Sequence, residues 1–338
     1  MLSFDSIFFE YMVKFLVIRF SSIGDIVLTT PVIRIIKNQI EDSSIHFLTK
    51  KENLSIVNNN PYISKVHILE PNNFTELTNK LYNEGFDYVI DLHNNIRTAR
   101  IKKHLKIISF TFKKLNIEKW LIVNFKYNKL PKVHIVDRYL DTLKAFGVEN
   151  DNNGLDYFID SKDNYSLDNL NLDNKKVISI VIGAKHFTKQ IPTEIIINIC
   201  NSIDYNIILL GGKDDYNKSI EISNKTSNTI NKVGEINLNQ SASIIKQSDL
   251  IITSDTGLMH IASAFNKNII SIWGNTIPEF GMSPYLIDNN KSIIIENKDL
   301  KCRPCSKIGY KKCPKNHFNC MNNIDVNKII NSIKNILK

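Results

Sequence analysis

Residues 15–37, FLVIRFSSIGDIVLTTPVIRIIK, decide the architecture. Residues 15–20 are strand formers; the run stops at Ser21-Ser22-Ile23-Gly24, and over residues 25–38 the apolar positions recur at helical spacing. Gly24 permits the tight turn, and Asp25 stands where a helix N-cap would accept backbone N–H groups. The same alternation continues. Strands are predicted over residues 45–48, 65–69 and 88–92, and helices over 74–84 and 134–146. Residues 150–176, polar and rich in Asn and Asp, read as a crossover between domains. Strands then return at 177–182, 206–210, 250–253 and 269–273, with helices opening at Pro192, Asp214, Leu238 and Thr256. Strands alternating with helices imply parallel sheets covered on both faces. The expected fold is therefore α/β, with two Rossmann-like domains facing a cleft: 12–150, and after the crossover 177–325, closed by a helix over 326–338.

The chain's 338 residues exceed what one core usually serves, which agrees with two domains. The net charge of +9, from 43 basic and 34 acidic residues, favours anionic partners: nucleic acid, phosphorylated substrates or an anionic membrane surface. No basic-aromatic module of a nucleic-acid binder is present, so nucleic acid is not expected. There is no apolar run of about 18 residues, and the opening MLSFDSIFFEYMVK lacks a basic n-region and a small-residue cleavage site. A soluble, cytoplasmic protein is the expectation.

Ligands of open parallel sheets bind beyond the carboxyl ends of strands. Three such corners carry unusual residues. At the first, Asp25 alone reads best as a cap. The second, ISIVIGAKHFTKQIPTE (178–194), brings Lys185, His186 and Lys189 before a helix whose first turn suits Pro192, an arrangement fit for a phosphate or for a plain solvated loop. The third, DLIITSDTGLMHIASA (249–264), delivers Asp255 from an apolar strand, then Thr256, Gly257 and Leu258 at a helix start with His260 in the first turn. Gly257 lets an anion approach the backbone. Aspartyl proteases also use Asp-Thr-Gly, but in two copies on all-β domains.

Taken together, RFSSIGDIVLTTP (19–31), KQIP (189–192) and SDTGLMHIA (254–262) resemble the heptosyltransferase family, glycosyltransferase family 9, from about residue 12 to the C-terminus. The resemblance implies a GT-B fold and a metal-independent inverting transfer from a nucleotide-diphosphate sugar such as ADP-heptose to a lipopolysaccharide-type acceptor. It places the catalytic aspartate at Asp25, the donor-phosphate lysine at Lys189, and donor binding at Asp255 to Leu258, with His260 beside them. Two departures stand out: Ile191 precedes Pro192 where many members carry an aromatic residue, and residues 1–11 lie outside the family pattern, as a misassigned start or an interfacial amphipathic segment. A non-catalytic sugar-nucleotide or glycan binder and a GT-B epimerase are the competing functions.

Basic residues concentrate between DLHNNIRTARIKKHLK and TFKKLNIEKW, just past a strand end. Arg97, Arg100 and Lys103 are the candidate contacts to a phosphorylated glycolipid acceptor, with peripheral contact to an anionic inner membrane; an ordinary solvated helix face is the alternative. In KCRPCSKIGYKKCPKNHFNC, Cys302, Cys305, Cys313 and Cys320 form a candidate structural zinc site with His317 as a competing ligand, against reduced thiols packed in a loop. Cys200 reads as core. No cofactor is expected for catalysis.

Overall fold

The computed structural model describes residues 12–170, 172–285 and 288–338. Residues 1–11, with the two readings given them above, lie outside the described residues. The first half runs β1 (Val13–Ile18), α1 (Ile23–Val27), α2 (Thr30–Gln39), β2 (Ser43–Lys50), α3 (Leu54–Val57), β3 (Lys65–Leu69), α4 (Phe74–Asn83), β4 (Tyr88–Asp91), α5 (Ile96–Leu105), β5 (Ile108–Thr111), α6 (Asn116–Phe125) and α7 (Ile135–Leu140). The second half runs β6 (Val177–Val181), α8 (Thr193–Asn201), β7 (Asn206–Leu210), α9 (Tyr216–Asn224), β8 (Thr229–Asn231), α10 (Leu238–Gln247), β9 (Leu250–Ser254), α11 (Gly257–Ala264), β10 (Asn268–Trp273), β11 (Ser292–Glu296), α12 (Asn319–Asn322) and α13 (Val326–Leu337).

Both sheets are parallel, with strand orders β3-β2-β1-β4-β5 and β11-β10-β9-β6-β7-β8. Central strands buried on both faces need continuous apolar runs, and β1, β6 and β9 supply them. The order reverses between β1 and β4 in the first sheet and between β6 and β9 in the second, so each has a crevice at the carboxyl ends of those strands. All three unusual corners follow β1, β6 or β9.

The expected helix over 25–38 is two helices, because residues 28 and 29 form a turn and Pro31, which lacks an N–H, sits at the first positions of α2. β5, β8, β11, α3, α5, α6 and α12 went unpredicted. β5 and β8 are short edge strands, and the charged α5 shows only three buried side chains, so hydrophobic period was weak in each. Among its described residues the crossover carries only short 3₁₀ turns. Arg34 of α2 anchors it: its Nε and Nη2 donate to Asp151 at 2.7 and 2.9 Å, Nη1 to Asp156, and Nη2 to the Gly154 carbonyl at 2.9 Å. The first core continues into the second half, where Ala242 and Ile261 pack with Ile26, Val136 and Tyr157. α13 covers the second sheet with Ile329 and Ile333.

Candidate active site

At the first corner Ser22, not Asp25, is the N-cap of α1, and Asp25 is the third helical residue reaching back to it. Its Oδ2 accepts from the Ser22 N–H at 3.0 Å and hydroxyl at 2.8 Å, while Oδ1 pairs with Arg19 Nη2 at 2.8 Å. Arg19 is buried at the end of β1, braced by the Ser21 and Leu92 carbonyls at 2.8 and 2.5 Å, with Tyr139 beneath its guanidinium. Burial opposes ionisation of Asp25, but the Arg19 charge and the Ser22 bonds outweigh it and hold the carboxyl below its ordinary value. Asp25 is thus a carboxylate at neutral pH with both oxygens oriented.

The second and third corners form one unit. Lys189 ends a 3₁₀ turn after β6 and pairs with Asp255 at 2.6 Å; Asp255 also accepts from the Thr276 hydroxyl at 3.0 Å. Lys218 braces the loop, donating to the Ile182 and Ile191 carbonyls at 3.0 and 2.5 Å, and burial pushes its ammonium down to about 8. Thr256 caps α11 by accepting from the Met259 N–H at 3.4 Å. The earlier N–H groups of α11 have no partner within the helix and carry the positive end of its dipole. Lys185 is exposed and His186 partly so.

These corners meet across the two halves. A Cβ added to Gly24 would lie 2.4 Å from His260 Cδ2 and 3.4 Å from Gly257 Cα, and one on Gly257 would lie 2.8 Å from Ile23. Two glycines therefore let the starts of α1 and α11 touch. His260 is buried in that contact, and desolvation pushes its pKa down to about 4, so its ring is neutral. It is packed between the corners.

The predicted acceptor residues are surface side chains of the helix that follows β4. Arg97, Arg100 and Lys103 are exposed on α5, and the Arg100 guanidinium stands 4.6 Å from the Phe74 ring centroid on α4. The cations that share Asp25's field are others. Burial lowers the Lys114 ammonium, with Arg19 adding to it and Asp25 and Asp91 opposing. Burial, with Arg138 adding to it, brings Lys119 of α6 down to about 8, and Lys307 acts on both lysines. Lys102 of α5 is tied to the buried Asp91 at 2.8 Å. Sequence reading missed Arg19, Lys119 and Lys307; for Arg19 the one signal was a charge closing an apolar strand.

The four thiols of the C-terminal segment lie in one another's field, Cys302, Cys305 and Cys313 all bearing on Cys320. Among the described residues no three of Cys302, Cys305, Cys313, Cys320 and His317 bring their ligand atoms within 4.8 Å of one another, although Cys302 Sγ is 3.9 Å from His317 Nε2. Burial raises the Cys305 thiol and pushes Cys320 up to about 12. Arg303 holds the segment instead: buried, it pairs with Glu296 at 2.9 Å and donates to the Gly274 and Thr276 carbonyls. Tyr310 and Thr188 clamp the segment to the Lys189 loop, and Lys126 of α6 donates to the Cys302 and Pro304 carbonyls at 3.1 and 2.6 Å.

Two parallel-sheet domains with a carboxylate corner on one facing a cation and helix start on the other define the GT-B class of nucleotide-sugar enzymes. The comparisons narrow the class. A model described as glycosyltransferase family 9 (heptosyltransferase) matches residues 74–315, and the chain belongs to that family. It is 26% identical over 297 residues to lipopolysaccharide heptosyltransferase 1 of Campylobacter coli, covering 78% of this chain and 84% of the relative. Its fold is similar to that of a family 9 glycosyltransferase from Veillonella parvula, with TM-score 0.77, 19% identity and coverage of 96% and 97%. It is also similar to the E. coli ADP-heptose lps heptosyltransferase II, with TM-score 0.72, 18% identity and coverage of 96% and 98%. The chain is a glycosyltransferase.

Proposed function

We propose that this enzyme transfers a heptose or related sugar, with inversion and without a catalytic metal, from a nucleotide-diphosphate donor to a phosphorylated glycolipid of the lipopolysaccharide-core type. The observation that carries the reading is the contact of the Asp25 corner with the Lys189–Asp255 corner through Gly24 and Gly257. Asp25 takes the proton of the acceptor hydroxyl as it attacks the anomeric carbon. Lys189 and the first N–H groups of α11 stabilise the charge growing on the departing diphosphate. Asp255, already paired with Lys189, faces the sugar. A single displacement from the side opposite the diphosphate inverts the anomeric centre. The relatives' names support heptose as the sugar and an ADP-linked donor.

The acceptor enters past α6. Lys114 and Lys119 offer charge beside Asp25, and the exposed Arg97, Arg100 and Lys103 extend the field outward. α6 and the turn after it expose Ile117, Trp120, Phe125 and Tyr127 among Lys126, Lys129 and Lys132, a mixture that suits an anionic lipid surface. No helix of the described residues is long and apolar enough to cross a membrane.

The test is transfer from ADP-heptose to a phosphorylated inner-core glycolipid, following the product's anomeric configuration by NMR with and without chelator. Inverted product at an undiminished rate in chelator is expected. Retained configuration, or loss of rate restored by a divalent cation, would refute the mechanism.

A further inference from the structure

Three metal-ligating side chains converge at the outer edge of the first sheet. His46 lies on β2 and His67 on the edge strand β3, while Glu84 closes α4. His46 Nδ1 and His67 Nε2 stand 3.0 Å apart, Glu84 Oε2 is 3.8 Å from His46 Nδ1, and one ligand atom from each residue lies within 4.8 Å of the other two. Both imidazoles are buried, at 6% and 4% exposure, with Phe86 edge-on to each ring.

Two facing imidazole nitrogens can share only one proton, so a lone pair is left pointing into the group. Burial of both rings disfavours charge on them, and the neutral imidazole is the form a metal requires. Glu84 is held as a carboxylate chiefly by its bond from Lys65, which occupies Oε1 and leaves Oε2 turned toward the histidines. Zinc bonds of about 2.0–2.1 Å at tetrahedral angles separate neighbouring ligand atoms by about 3.3 Å. The spacing here needs only small rotations to reach that.

We propose that His46, His67 and Glu84 form a structural site for a divalent cation of the zinc class, with water in the fourth position, clipping β3 to β2 and to the end of α4. Two imidazoles and one carboxylate are a borderline-soft set suited to zinc rather than to magnesium or calcium. Lys14, Lys65 and Lys80 bear on the same group and make the affinity modest. The site lies on the β2–β3 edge and not at the β1 corner that carries Asp25, and the inference does not depend on the glycosyltransferase chemistry.

The experiment uses the full chain stripped with chelator and then titrated with Co²⁺ and Zn²⁺. Cobalt distinguishes this site from the thiols of residues 302–320, because thiolate ligands add an intense near-ultraviolet charge-transfer band. Expected are stoichiometric cobalt binding with visible ligand-field bands and no thiolate band, and a melting temperature raised by zinc. His67→Gln and Glu84→Gln should each weaken binding at least about tenfold, as loss of a ligand does. Should His67→Gln fail to fold, Glu84→Gln at the partly exposed helix end carries the test by itself, read as the zinc-induced shift rather than the absolute melt. Binding with only a thiolate spectrum, an equal zinc shift in Glu84→Gln, or no binding at millimolar cobalt would overturn the site.

Discussion

Asp25 carries two duties whose separation is measurable. Its oxygens serve Arg19 and Ser22 at once, and an asparagine amide has one oxygen for both and no charge, so Asp25→Asn leaves the buried Arg19 guanidinium without its ion-pair partner. Stability should fall by about 1–3 kcal/mol in a thermal melt, while turnover should fall by about 10² to 10⁴ and donor affinity hold. An Asn variant keeping a tenth or more of the wild-type turnover would remove Asp25 as the base. Lys189 is also more than a surface residue. Lys189→Ala leaves Asp255 with the Thr276 hydroxyl alone, so it should cost about 1–3 kcal/mol besides weakening donor binding, measured by calorimetry. The pH profile follows from the same groups. Asp25, held below its ordinary value, stays ionised well into the acid range and sets no limb near neutrality. Lys119 loses its charge as pH rises through about 8, so kcat/KM for a phosphorylated acceptor should decline there, and Lys119→Arg should abolish that decline. A profile unchanged in the Arg variant would exclude Lys119 from acceptor recognition.

Between elements, the decisive contact is α1 against α11. Each helix has a glycine in its first turn at the junction, and the His260 ring fills the gap that Gly24 leaves. A methyl group on Gly24 meets that ring at 2.4 Å, so Gly24→Ala forces the starts of the two helices apart. The expected cost is about 1–3 kcal/mol, as for other overpacked sites, with turnover reduced because base and donor corner move out of register. His260→Ala makes room for the methyl, and the double variant should recover part of both losses. Additive losses in the double-mutant cycle would show that the two residues do not share the contact.

Across the whole molecule, charge and apolar exposure coincide around α6. Of the chain's two tryptophans Trp273 is buried and Trp120 is exposed, which makes Trp120 a reporter of lipid contact. Vesicles containing anionic lipid should shift its fluorescence to the blue and sediment with the protein, neutral vesicles should do neither, and added salt should weaken both effects. Trp120→Ser with Phe125→Ser should abolish the binding without changing turnover on a water-soluble acceptor. Equal binding by that variant would move the membrane contact elsewhere. We propose that the division between the two domains falls in the crossover 151–176, which Arg34 ties to the first half while Tyr157 reaches Asn239 in the second.

How much of this was legible varies with the range of the interaction. Alternating strands and amphipathic runs are local signals, so the parallel α/β plan and the βα corners at Asp25, Lys189 and Asp255 could be read from order alone. Capping is local too, yet Asp25 was placed three residues off, because Ser22 and Asp25 are both good cap residues and only the backbone decides which one begins the helix. Weakly patterned elements such as β5 and α5 escaped because they bury little, β5 no residue and α5 three, so neither carries a strong apolar period. The pairing of Lys189 with Asp255, the approach of Lys114 and Lys119 to Asp25 with Lys307 acting on both lysines, and the meeting of His46, His67 and Glu84 join residues far apart along the chain. The sequence by itself determined which chemical groups stand at the strand ends. Only the tertiary structure decided which of them touch, since burial and distance set the worth of a charge, and neither is a property of a residue's place in the order.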